Sequence, residues 1–305
     1  MNKAGANQFF EFARARHRVY LARMSGQPAP WTDDPVLRKN RFTNVFRELD
    51  RTTVWFRENM RNHLRKSNWV VPVTVLFRWF NKIEMGEIML QADLIDEVEW
   101  NIEQFEQLAR LKYPNGPWVT GSYMVFSGKK NGDKLTGLLK FFKKFMLWWN
   151  DKGEDFFKTR PSMEKAHEAL MECEGLSGFT AYEIVTDLRW TNVVSDGDRN
   201  RWCHSGPGAT RGMSRLLYRN PEKLDQFNVA HQYKIRQEMI NLLLLSRNGE
   251  YWPDFNEADW PKWELRDIEH TLCEFDKYER VRRGEGQTKR LFKEELALPL
   301  PNQGA

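Results

Sequence analysis

The chain has 305 residues, enough for one large domain or two small ones around a sizeable core. Its 47 Lys and Arg against 42 Asp and Glu give a formal charge of +5, an excess small enough that its distribution matters more than its sum. No apolar run nears the ~18 residues of a membrane helix and the N-terminus has no apolar signal core, so a soluble protein with a cytoplasmic location is expected.

Helical periodicity dominates from the start. Phe9, Phe10, Phe12, Ala13 and the stretch Val19 to Leu21 begin a basic amphipathic helix that SGQPAP ends. Trp31-Thr-Asp-Asp-Pro reads as a capped entry to the next helix, with Pro35 suited to a first turn. Residues 40–61 interleave Phe42, Val45, Phe46, Leu49 and Trp55 with a polar row, Asn40, Asn44, Arg47 and Arg51, read as a helix with a solvated or substrate-facing stripe. Helices are expected at 69–82 and 86–112. The Gly- and Pro-rich 113–134 stretch is expected to be a loop or, at most, a short β-hairpin. Further helices fall at 135–150, 162–172, 179–190, 222–247 and 264–280, and a frayed tail at about 292–305. The expectation is an all-α chain forming a single domain over 1–305.

Charge is unevenly placed. Residues 199–220 hold five arginines and no acid, while 84–106 carry eight acids. Such basic surface suits a polyanion. The 13 tryptophans and 20 phenylalanines are read mainly as core. Three widely spaced cysteines give no disulfide framework and no four-ligand metal pattern, so no metal or other cofactor is expected. GSYMVFSGKK at 121–130 looks like a phosphate-binding loop, but six residues separate its glycines and no Ser or Thr follows the lysine, so a nucleotide kinase is not expected.

The most informative stretch is MECEGLSGFTAYEIVTDLRWTNVVSDGD, from Met171 to Asp198. Its Gly-Leu-Ser-Gly turn (Gly175 to Gly178) sits between two helical patterns, about 164–190, and the amides opening the second helix suit a phosphate oxygen. Asp187 reads as a structural acid paired with Arg189 or another base. Downstream, the loop carries Asp196 and Asp198. In WCHSGPGATRGM, Trp202 to Met213, the glycines read either as a simple turn or as an anion nest ahead of a helix starting near Arg211.

This arrangement resembles the helix-hairpin-helix of the DNA glycosylase superfamily, a two-lobed helical fold. Asp198 lies 17 positions after Ala181, an interval similar to that of glycosylases acting through an aspartate. Ser177 replaces the family's second glycine, and Phe179 stands where lyase-type members carry lysine. Blocks such as FFEFARARHRVYLARMSGQPAPWTDDPVLRKNRFTNVFRELDR, GPGATRGMSRL and DIEHTLCEFDKYERVRRGEG resemble the helical domain of phage 5-hydroxymethyl-deoxyuridine DNA kinases and the alpha-glutamyl/putrescinyl thymidine pyrophosphorylase group. The resemblance implies a monofunctional glycosylase that flips out and excises a modified (hydroxymethylated, glucosylated or hypermodified) pyrimidine from phage DNA, leaving an abasic site, in anti-phage defence. Asp198 would be the catalytic carboxylate, stabilising oxocarbenium charge, with Asp196 in reserve. Gly175, Ser177, Gly178, Thr180, Arg199, Arg201, Arg211 and Arg215 would bind DNA, and Tyr123 and Trp202 would line the base pocket. DNA is the expected partner, with no membrane and no obligate protein partner. The alternatives are a hypermodification transferase or pyrophosphorylase acting on an activated 5-hydroxymethyl-pyrimidine, and a non-catalytic DNA-binding module.

Overall fold

Short polar side chains open most of the helices, and each does so by accepting an amide hydrogen that the first helical turn leaves without an internal acceptor. Asn2 receives the Gly5 N–H, Asp34 those of Val36 and Leu37, Asn101 that of Gln104, and Asp133 that of Thr136. Ser162, Ser177 and Asn228 do the same for Lys165, Thr180 and His231. A computed structural model of the chain describes residues 1–121, 132–253, 258–288 and 291–292. Among these residues the fold is all-α: no strand occurs, and the extended pairings are two isolated bridges, Asn40 with Leu291 and Ser162 with Ser195.

The chain divides into two compact units, Thr52–Trp202 and the pair of segments Met1–Arg51 and Cys203–Ala305. In the discontinuous unit, α1 (Lys3–Met24), α2 (Pro35–Lys39), α11 (Pro207–Tyr218), α12 (Val229–Leu245) and α13 (Leu265–Arg282) pack together. Its core is aromatic: Phe9, Phe10, Phe46, Tyr251, Trp252, Trp260 and Trp263 are all buried. Gly208 and Gly212 let α11 and α13 approach closely. A Cβ on Gly208 would stand 2.2 Å from the Cys273 sulfur, and one on Gly212 would stand 2.2 Å from the Leu272 carbonyl oxygen. These glycines therefore belong to a helix already begun at Pro207, and they serve helix packing rather than an anion nest ahead of Arg211.

The helix expected over 40–61 is the largest departure. Residues 40–46 are irregular, Arg47–Leu49 make a single 3₁₀ turn, and α3 (Arg51–Phe56) begins only afterwards, running into a π-turn at Arg57–Arg61. Three of the four residues of the polar row, Asn40, Asn44 and Arg47, are buried, and Arg51 is exposed. Asn44 accepts from Arg16 at 2.7 Å and donates its own amide to Asp50 at 2.9 Å, while Glu274 of α13 takes the Thr43 amide at 3.0 Å. Side-chain acceptors thus compete with the helical ladder for these amides, which is how polar residues end helices locally.

The continuous unit holds α4 (Val70–Phe80), α5 (Ile83–Gln91), α6 (Ile102–Lys112), α7 (Lys134–Trp148), α8 (Glu154–Lys158), α9 (Met163–Met171) and α10 (Gly178–Leu188). Every residue of α4 is buried, as an all-round apolar helix requires. The single helix expected over 86–112 is two, because Asp93 turns the chain with φ +51° and Asn101 caps a fresh start. The helix expected over 222–247 begins at Val229, where Asn228 caps it. The hairpin expected near 113–134 lies partly outside the described residues, as does the tail beyond residue 292. No helix of the described residues is long and apolar enough to cross a membrane.

Candidate nucleic-acid interface

Residues 172–177 join α9 and α10 into a helical hairpin, and the two helices pack on each other. Gly175 has φ +90°, a conformation that favours glycine, and a Cβ there would stand 2.7 Å from the Phe141 ring. Its carbonyl accepts from Trp79 Nε1 at 3.2 Å, so the turn is tied to α4 from below. Ser177 is exposed and caps α10, while Gly178 is half-buried and Thr180 is buried. His167 Nε2 donates to the Gly178 carbonyl at 2.8 Å, and burial pushes the His167 pKa below its ordinary value, keeping the ring neutral. The four hairpin residues named from the sequence are therefore together at one turn, with Ser177 its outermost side chain.

Trp202 is buried under this hairpin rather than open to a ligand. Its ring centroid lies 5.1 Å from that of His167 and 5.6 Å from that of Tyr182, an aromatic prop beneath α9 and α10. This corrects its assignment to a base pocket. Tyr123, the other residue so assigned, lies outside the described residues.

Asp198 lies in the loop after α10. The Ser195 amide donates to the Pro161 carbonyl at 2.8 Å, which docks this loop beside the start of α9. The Asp198 carboxylate then receives the Met163 and Glu164 amides, each at 3.1 Å, one on each oxygen. Together with Ser162, it completes the capping of α9, and its charge faces the positive end of that helix. The hairpin turn lies past the opposite end of α9, which has nine residues. At 1.5 Å per residue that is roughly 14 Å away. Asp198 and the Gly175–Gly178 amides are thus separate features. Asp196 is exposed, Arg199 is half-buried and Arg201 is exposed, all in the loop with Asp198.

The remaining arginines named from the sequence belong to the other unit. Arg215 is buried, with Nε 2.8 Å from Asp276 and Nη2 2.6 Å from Glu285. Arg211 pairs with the second oxygen of Asp276 at 3.0 Å and is partly exposed. Arg215 is thus held inside α11–α13 packing, which corrects its assignment as a phosphate clamp.

Asp187, expected to pair with Arg189 or another base, has Arg78 and Arg61 as partners. It is fully buried and is gripped by Arg78 of α4 through two hydrogen bonds, one from Nε and one from Nη2 at 2.9 Å, with Arg61 at 3.4 Å. Arg78 also donates to Asn81 at 2.7 Å and lies over the Phe56 and Phe77 rings. A lone arginine inside the run VVPVTVLFRWF was the signal available for this pair.

Compared with known proteins, the chain matches over residues 3–288 a family model described as "5-hmdU DNA kinase, helical domain". It is 25% identical over 292 residues to a protein named 5-hmdU DNA kinase from Bacillus phage SP10, covering 88% of this chain and 44% of that one. The chain therefore spans less than half the length of the curated relative it matches. No solved structure matches it. Both names denote a kinase, which transfers a group, and neither denotes a hydrolase. They overturn the expectation of a DNA glycosylase that excises a base.

Proposed function

The chain belongs to the family described as 5-hmdU DNA kinase, helical domain, and on that premise we propose that it holds DNA for group transfer at the 5-hydroxymethyl substituent of a pyrimidine. The observation that carries this reading is the family match across nearly the whole chain, joined to the capped α9–α10 turn with its exposed Ser177. In this reading α9 and α10 act as a helix-hairpin-helix element, its backbone amides placed against a phosphate of the strand. The hydroxymethyl oxygen is the natural nucleophile for a phosphoryl group. Once activated, the same substituent becomes the electrophile for a later transfer. Handling of a phosphoryl donor is left to the activity named for the relative, which this chain matches over 44% of its length.

The test is binding of the chain to duplexes that differ only in thymine or 5-hydroxymethyluracil at one position, followed by fluorescence anisotropy at 50 to 200 mM salt. Tighter binding to the hydroxymethylated duplex, falling linearly on a log–log salt plot, is expected. No binding to either duplex, or an affinity independent of salt, refutes the reading. Nucleoside mass spectrometry after incubation with DNA bearing an activated hydroxymethyl group and an amine reads transfer directly: a mass gain on the base means the chain catalyses it.

A further inference from the structure

Trp190 follows the last turn of α10, held there by its amide donating to the Asp187 carbonyl at 3.2 Å. The residue is 40% exposed, uncommon for the largest ring in a chain whose other tryptophans supply so much of the core. Two guanidiniums attend it. The Arg189 carbon lies 5.0 Å and the Arg199 carbon 5.6 Å from the ring centroid, both within cation–π reach. Arg201, two residues beyond Arg199, is exposed. An exposed aromatic ring bordered by arginines is the chemistry that takes a nucleobase: the ring stacks on the base, and the cations meet the adjoining phosphates. Asp198, in the same loop, is turned into α9 and so does not present its carboxylate to that strand.

Resting on the DNA-holding reading above, we propose that Trp190 is a stacking platform for an unpaired base of the bound DNA strand, with Arg199 and Arg201 on its phosphates. Three measurements on the full chain test it. DNA carrying an unpaired 2-aminopurine should be quenched on binding, and Trp190→Ala should remove the quenching and weaken binding about 5- to 150-fold. Trp190→Leu keeps apolar bulk without a π face and should behave like the alanine variant, while Trp190→Phe should recover much of the binding. Irradiating the wild-type chain with 5-bromouracil DNA should place a crosslink on the peptide carrying Trp190. Wild-type affinity and quenching in a folded Trp190→Leu variant, or crosslinks confined to other peptides, overturn the platform while leaving DNA holding intact. Failure of the wild-type chain to bind any DNA overturns both.

Discussion

Replacing Asp198 separates two roles that its position in the sequence allows, a group acting on a substrate and a helix cap. The carboxylate accepts the Met163 and Glu164 amides at 3.1 Å each, so Asp198→Ala leaves both without their acceptor. Deleting a capping side chain costs ~0.5–2 kcal/mol, and removing a negative charge from a helix start costs ~0.3–1 kcal/mol. Asp198 is half-buried, so water takes over part of the task, and the expected loss is about 1–2 kcal/mol. For a unit of this size that corresponds to a fall in Tm of about 2–8 °C. Asp198→Asn keeps one oxygen as an acceptor but turns an amino group toward the other amide, so about 1 kcal/mol is expected. Urea unfolding of both variants, compared with DNA binding and nucleoside products from the same preparations, provides the readout. If the alanine variant unfolds within ~0.5 kcal/mol of the parent yet loses its activity on DNA, the capping argument fails and Asp198 works on the substrate.

Three other perturbations follow from buried features. Asp187→Ala strands Arg78 and Arg61 without their carboxylate and should cost ~3–5 kcal/mol by urea unfolding, whereas Thr53→Val, which removes a 3.3 Å contact to Arg78, should cost about 1 kcal/mol or less. His17 is held neutral, burial pushing its pKa down to about 4 while its ring faces the Asp259 carbonyl. Unfolded, the same ring protonates near pH ~6.5, so the unfolded state binds the extra proton. Stability should be full above about pH 6.5 and fall by about 3 kcal/mol as the pH drops toward 4. His17→Gln should flatten that slope, and an unchanged slope counts against the assignment. Gly175→Ala meets both an unfavourable φ and the Phe141 ring, and should cost more than the ~1–2 kcal/mol of the backbone term alone. Adding Phe141→Ala should not restore it, because the φ remains.

Some helix starts were legible in the sequence, whereas those at Arg51, Ile102 and Val229 were not. The capped entry at Trp31–Pro35 rests on Asp34, whose interaction spans only two or three residues and is displayed directly by the sequence. The 40–50 stretch misled for the opposite reason. Its apolar spacing fits a helix, but the competing acceptors come partly from α13, with Glu274 231 residues from Thr43. The glycines at 208 and 212 stood out as unusual, yet the surface they fit belongs to a helix that begins more than fifty residues later. At the candidate site, the turn could be read locally. The separation of Asp198 from that turn could not, because it depends on a loop docking at the far end of α9. Arg215 illustrates the general difficulty: a basic run in sequence does not reveal which of its members are already neutralised by acids elsewhere in the fold.

The split assembly of the unit made from Met1–Arg51 and Cys203–Ala305 has a consequence for the newly made chain. Helix α1 buries Phe9, Phe10 and Phe12 in a unit that α11 and α13 complete. Those partners are synthesised only after all of Thr52–Trp202. At ~5–20 residues per second, the ribosome takes roughly 10–30 s to make the intervening stretch. At the end of that interval the continuous unit has every residue it needs to fold, while the N-terminal helix still carries an uncovered aromatic face. A chaperone that binds nascent chains should therefore be found on the first fifty residues, and should leave once α13 has emerged.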